Sequence, residues 1–150
     1  MKNLINWQKT NRILLVLINV VFFSHAVLAQ DYYVSSQSGL DKNKGTQAKP
    51  FASLNKINSL KLKPGDSVFF KAGEKFNGSL RILNESGSTL KPVTISTFGD
   101  NKQRAYINAA GELAGIEIKN SSYINISNID IEADGGKQQE IKDRKLAQAI

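Results

Sequence analysis

From residue 67 onward, apolar side chains recur two positions apart in short runs, each ended by turn-forming residues. The runs are S-V-F-F-K (67–71), S-L-R-I-L (79–83), V-T-I-S-T-F (93–98) and A-Y-I-N (105–108). Three I-x-I units follow: Ile116-Glu117-Ile118, Ile124-Asn125-Ile126 and Ile129-Asp130-Ile131. Side chains alternate along a strand, so each run predicts a short strand with one apolar face. D-Y-Y-V-S (31–35) is a further β-prone run. Clusters such as A-G-E, N-E-S-G-S, F-G-D-N and N-A-A-G separate the runs and read as turns. Only F-A-S-L-N-K-I-N-S-L breaks the pattern, with Phe51, Leu54, Ile57 and Leu60 at steps of three. That spacing predicts a short helix begun by Pro50 or Ser53, too short to stand without an apolar partner. Lys63-Pro64-Gly65-Asp66 reads as a type II turn.

The three I-x-I units constrain the architecture further. From Ile118 to Ile124 the step is even, whereas from Ile126 to Ile129 it is odd, so one straight strand would turn Ile129 to the wrong face. A corner at Ser127-Asn128 restores the phase, and asparagine tolerates the left-handed conformation that corners use. Strands joined by corners describe one turn of a coil. Val68 to Val93, Val93 to Ile116, Ile82 to Ile107 and Ile107 to Ile131 are spacings of 23 to 25 residues, the period expected of stacked turns. No Asn-Gly or Asp-Gly hairpin signal joins two neighbouring strands, which favours the coil over a β-sandwich. The expected fold is all-β, a solenoid of about two turns with the short helix at its N-terminal end.

The first residues belong to a different segment. Lys2, Lys9 and Arg12 precede an apolar run at 13–23 and the sequence S-H-A-V-L-A. This is the pattern of a secretory signal peptide spanning 1–29, cleaved after Ala29, and the run is too short for the ~20 residues of a membrane span. The expected location is secreted, periplasmic or on the cell surface, with no membrane span after cleavage. Beyond the leader come a strand, loop and helix (30–66), the first turns of the coil (67–136), and a loop or the start of a next turn (137–150), so the chain is expected to be incomplete.

The net charge of +7 includes three basic residues of the leader, and no block of like charge follows, so nucleic acid is not indicated. There is no cysteine, and the single histidine, His25, and single tryptophan, Trp7, lie in the leader. A Ser-His-Asp triad and Cys- or His-ligated metals are therefore excluded from the rest, leaving carboxylates, Lys, Arg and Tyr for acid–base work.

G-T-Q-A-K-P-F-A-S-L, K-P-G-D-S-V-F-F-K-A-G, G-S-T-L-K-P-V-T-I-S-T-F-G and N-S-S-Y-I-N-I-S-N-I-D-I, in that order, resemble the N-terminal part of secreted right-handed parallel β-helix proteins of the pectate-lyase-like group, notably bacterial proteins related to alginate and chondroitin lyases. The resemblance covers about residues 32 to 136. It implies that the short helix caps one end of the coil and that the partner is a polysaccharide, uronate-containing types included. It implies lyase or hydrolase chemistry in a groove on an outer sheet face. No position in this sequence matches a catalytic residue of that group, so the expected role is the first turns of a polysaccharide-active enzyme, inactive as this segment alone. A non-catalytic β-helix that binds carbohydrate or serves as a surface scaffold is the alternative.

Candidate site residues are few. Asp130, Glu132 and Asp134 alternate with apolar neighbours and point outward from one strand. Such a row either contributes ligands to Ca²⁺ or is a solvated, charged strand that discourages edge pairing. Asn120, Asn125 and Asn128 read as corner or ladder residues before sugar-contacting amides. Phe69, Phe70, Tyr106 and Tyr123 read mostly as core. The mixed-charge run Lys137–Lys145 reads as a solvated loop or short helix.

Overall fold

A computed structural model describes residues 28–100 and 102–134. The leader up to residue 27, Gly135-Gly136 and the mixed-charge run lie outside the described residues.

The elements are β1 (Asp31–Val34), α1 (Leu54–Asn58), β2 (Ser67–Lys71), β3 (Lys75–Asn77), β4 (Leu80–Leu83), β5 (Val93–Phe98), β6 (Ala105–Ala109), β7 (Ile116–Lys119), β8 (Ile124–Ile126) and β9 (Ile129–Ala133). Among the described residues the architecture is all-β apart from one five-residue helix. Strands assemble into three sheets, ordered β1-β2-β5-β8, β3-β6-β9 and β4-β7, and every pairing between them is parallel. From β2 to β9 the chain visits the three sheets in strict rotation. The three I-x-I units are β7, β8 and β9, one in each sheet.

The register explains the alternation. Val68 stacks beside Ile95, Phe76 beside Ile107 and Ile82 beside Ile118. The inward rows converge on a core of Val34, Val68, Phe70, Phe76, Leu80, Ile82, Val93, Ile95 and Ile107. At one end α1 closes this core with Leu54 and Ile57, flanked by Phe51 before it and the half-buried Leu60 after it. Ser53 is the N-cap, its Oγ accepting from the Lys56 N–H at 3.1 Å. Asp41 holds that cap in place, accepting from the Ala52 and Ser53 N–H groups and the Ser53 hydroxyl. Asn58 fastens the helix to β4, donating to the Ser79 carbonyl at 2.9 Å and accepting from the Arg81 N–H at 2.8 Å.

Three of the corners are asparagines. Asn84, Asn120 and Asn128 have φ of 59°, 51° and 57°, the left-handed region that asparagine visits at low cost. Asn128 sits at the corner that the odd step in the isoleucines requires. Asn125 does not, since it occupies the middle of β8 opposite Thr94. Amides and hydroxyls stack from one turn to the next: Asn120 on Asn84 and Asn108 on Asn77 at 3.1 Å, Ser122 on Ser86 at 3.1 Å, and Ser96 on Ser127 at 3.0 Å.

Three expectations need correction. The uniform period of 23 to 25 residues does not hold. The stacked partners lie 27 (68 to 95), 31 (93 to 124) and 36 (82 to 118) residues apart, and only Ile107 to Ile131 keeps 24. Inward rows look alike in all three sheets, so similar residues in different sheets share a spacing that the stacked partners do not. The strand β3 has a single apolar residue, Phe76, and shows no periodicity. Ile118 and Ile126 do share the inward rows of Ile82 and Ile95, yet they are 46% and 37% exposed because no further strand among the described residues covers them.

Glu85 links the segment after α1 to the loop after β7. It is buried, and its N–H donates to the Ser121 hydroxyl at 3.1 Å. Burial pushes its carboxyl pKa up, against the Leu62 backbone N–H and the Lys61 charge, which pull it down. The unfolded chain therefore releases this proton first. Stability is fullest below the ordinary glutamate value of 4.5, falls as pH rises through the window up to the raised native value, and is level above it. Glu85→Gln should remove that fall, so its urea midpoint should gain on the wild type between pH 4 and pH 7. A difference that stays constant with pH would contradict this.

Candidate functional site

The outward face of the first sheet carries aromatic side chains where a solvated face would be polar. Tyr33 on β1 pairs in register with Phe69 on β2, and Lys71 pairs with Phe98 on β5. Tyr33 lies 5.4 Å from Phe69 and meets Phe98 edge-on at 5.0 Å and 89°. All three rings are half-buried. Of the four aromatics read mostly as core, only Phe70 is. Phe69 and Tyr106 face outward, and Tyr123 sits exposed at a corner with φ 54°. Adjacent aromatics were indistinguishable by alternation alone until the phase of β2 was fixed by Val68.

Lys71 reaches over Phe98, its Nζ 5.0 Å from the ring centre. Gly99 makes room for it: with φ 104°, a Cβ there would stand 2.9 Å from that Nζ. Beyond Phe98 the β5–β6 turn encloses a groove of about 340 Å³, lined by Thr97, Phe98, Gly99, Lys102, Arg104 and Asn128 among others. Arg104 pairs with Asp130 at 3.2 Å, while Lys71 and Lys102 have no carboxylate within 4.0 Å among the described residues. An aromatic wall, a rim on which Lys102 and Arg104 stand beside the carboxylate of Asp100, and hydroxyl and amide groups together suit a polar ligand with apolar C–H faces.

The carboxylate row of β9 points outward as expected, and the residues go to separate partners. Asp130 takes Arg104, Glu132 takes the Tyr106 hydroxyl, and Asp134 accepts from the Gly111 N–H at 2.7 Å. Among the described residues no three acidic, His or Cys side chains gather as a metal centre. Asn120 and Asn128 stand at corners, and only Asn128 borders the groove.

Sequence reasoning missed three buried carboxylates, Glu85 and two more that hold loops. Glu74 Oε1 accepts from the Ser35 hydroxyl at 2.9 Å, and its Oε2 accepts from the Ser36 N–H at 2.7 Å and more weakly from the Ser36 hydroxyl and the Gln37 N–H. Asp66 accepts from the Gln30 and Lys63 N–H groups at 2.8 and 2.9 Å. Both are fully used in holding loops. A turn signal, A-G-E or P-G-D, marks each position but not its burial.

No helix among the described residues is long and apolar enough to cross a membrane. No family model matches the chain. The lacto-N-biosidase of Bifidobacterium longum subsp. longum is 33% identical over 130 residues, a match spanning 69% of this chain and 8% of that protein. The crystal structure of a GH136 lacto-N-biosidase from Eubacterium ramulus superposes with a TM-score of 0.65 at 28% identity, covering 71% of this chain and 21% of that one. A rhamnogalacturonan lyase superposes with a TM-score of 0.55 at 21% identity over 69% of this chain and 28% of its own, a likeness of fold alone. The chain thus spans less than a tenth of the curated relative and between a fifth and three-tenths of the solved ones, and it is similar to carbohydrate-active proteins over most of its described length.

Proposed function

We propose that this chain forms the opening turns of a right-handed parallel β-helix in an exported, glycan-active protein of hydrolytic type. Parallel pairing throughout, strict rotation among three sheets and asparagine corners support the β-helix reading. The leader pattern at 1–29 supports export. The single observation that carries the activity class is the 33% identity to a lacto-N-biosidase over 130 residues. The lyase is similar in fold only, so hydrolysis is preferred to the β-elimination implied by a pectate-lyase-like resemblance.

In this reading the aromatic wall and the Phe98–Arg104 groove are a glycan-contact surface. A pyranose presents C–H faces that pack on Phe98 and Phe69 and hydroxyls that meet Thr97 and Asn128. An acidic glycan, uronate-bearing included, is a second reading supported by the excess of basic groups: Lys102 and Arg104 line the groove and Lys71 lies over Phe98, against the one lining carboxylate, Asp100. Phe98→Ala should weaken glycan binding about tenfold, consistent with loss of one aromatic contact of ~1 kcal/mol plus its buried area. Lys71→Ala separates the two readings by calorimetry. It should leave binding of a neutral oligosaccharide within twofold and weaken a uronate oligomer severalfold only if the acidic reading holds. Wild-type affinity retained by Phe98→Ala for both ligands would remove the groove from the glycan path.

A further inference from the structure

A second groove lies on the outer face of the β4–β7 sheet, away from the aromatic wall. It encloses about 300 Å³ and is lined by Ser79, Arg81, Glu112, Leu113, Ala114 and Glu117. Arg81 on β4 stands in register with Glu117 on β7, and its Nε lies 3.6 Å from the Glu117 carboxylate. Its Nη2 donates to Glu112, on the β6–β7 turn, at 3.4 Å. Two features fix this arrangement. Asn58 clamps the Ser79–Arg81 backbone from the helix, and Asp134 accepts the Gly111 N–H beneath the turn. Leu113, 70% exposed, forms an apolar rim beside the charges.

Ion pairing does not exhaust these groups. Arg81 carries five N–H donors, and its two contacts are long, so most donor and acceptor capacity faces the groove. Guanidinium beside carboxylate presents alternating donors and acceptors in a fixed plane. Two adjacent hydroxyls match that array, each donating to a carboxylate and accepting from the guanidinium. The Arg81 charge disfavours a cation, and the two carboxylates disfavour an anion. We propose that this groove is a second, non-catalytic sugar subsite that takes the vicinal diol of a neutral glycan, with Leu113 against the ring's C–H face. That the diol is a sugar's rests on the glycan-active reading above; the location and chemistry of the groove do not.

The test is an amide NMR titration of the whole chain with lactose in the millimolar range, with sulfate as an anion control. Saturable shifts should appear at Arg81, Leu113, Ala114 and Glu117, be lost or weakened at least about tenfold in Arg81→Met and Glu112→Gln, and persist in Phe98→Ala. Sulfate should leave these amides unmoved. Unperturbed amides elsewhere report that each variant is folded. Lactose shifts confined to the Phe98 groove would overturn the second subsite and leave the glycan reading intact, whereas silence at both grooves would overturn both. Shifts preserved in both variants, or produced by sulfate instead, would also overturn it.

Discussion

Replacing Ile95 by aspartate should unfold the domain. Ile95 is fully buried, between Val68 on one side and Ile126 on the other, and a carboxylate there would be stripped of water with no partner. The cost is expected to be several kcal/mol, comparable with the whole stability of a domain of this size. Ile107→Asp should behave alike, since its side chain lies in the inward row with Phe76 and Ile131. Thr94→Ser, one residue from Ile95 on the outward side, should cost less than about 1 kcal/mol. Ile118→Asp and Ile126→Asp should be milder than Ile95→Asp, because water already reaches those side chains. Thermal melts followed by circular dichroism order the series, and equal damage from Ile95→Asp and Thr94→Ser would mean that the faces are assigned wrongly.

The second large effect is expected at Glu74. Its carboxylate gathers the Ser35 hydroxyl and the Ser36 N–H in a site almost closed to water. Glu74→Ala strands those donors, at roughly 2–4 kcal/mol for groups bonded to a charge and left without it. Amide exchange should quicken at Ser36 and Gln37 ahead of β2 and β5, since the loop would open before the coil does. Glu74→Gln keeps the shape and one acceptor, so it should fall between alanine and wild type. Unchanged exchange at Ser36 in Glu74→Ala would show that the loop is held by something else.

Much of this fold is legible in the chain because parallel strands that rotate among three sheets repeat one rule, inward aliphatic and outward polar, and each strand writes it again. Seven of the nine strands lie within a residue or two of the runs that alternate, and the odd step between Ile126 and Ile129 locates the Asn128 corner. What alternation cannot show is which sheet a run belongs to, since Ile82, Ile95 and Ile107 obey the same rule in three different sheets. Hence the period came out too short. β3 was invisible because Lys75 and Asn77 flank one apolar residue. The site was less legible than the fold. Tyr33, Phe69 and Phe98 are apart in sequence and become one wall only through the parallel register. Glu117 meets Arg81 through the β4–β7 register, and Glu112 reaches it from the β6–β7 turn. The carboxylates that sequence did single out, Asp130, Glu132 and Asp134, are each engaged by a neighbour on the preceding turn.

The most direct test of the glycan-hydrolase reading is to purify the protein from its native host and incubate it with a nitrophenyl lacto-N-bioside, alginate, pectate and chondroitin in parallel. Release of nitrophenol from the bioside, or of new reducing ends from a polysaccharide without the absorbance of an unsaturated uronate, is the expected result, because hydrolysis adds water across the bond and leaves no double bond. An unsaturated uronate absorbing in the ultraviolet would contradict it in favour of a lyase, and no cleavage of any of the four would contradict it in favour of a binding scaffold.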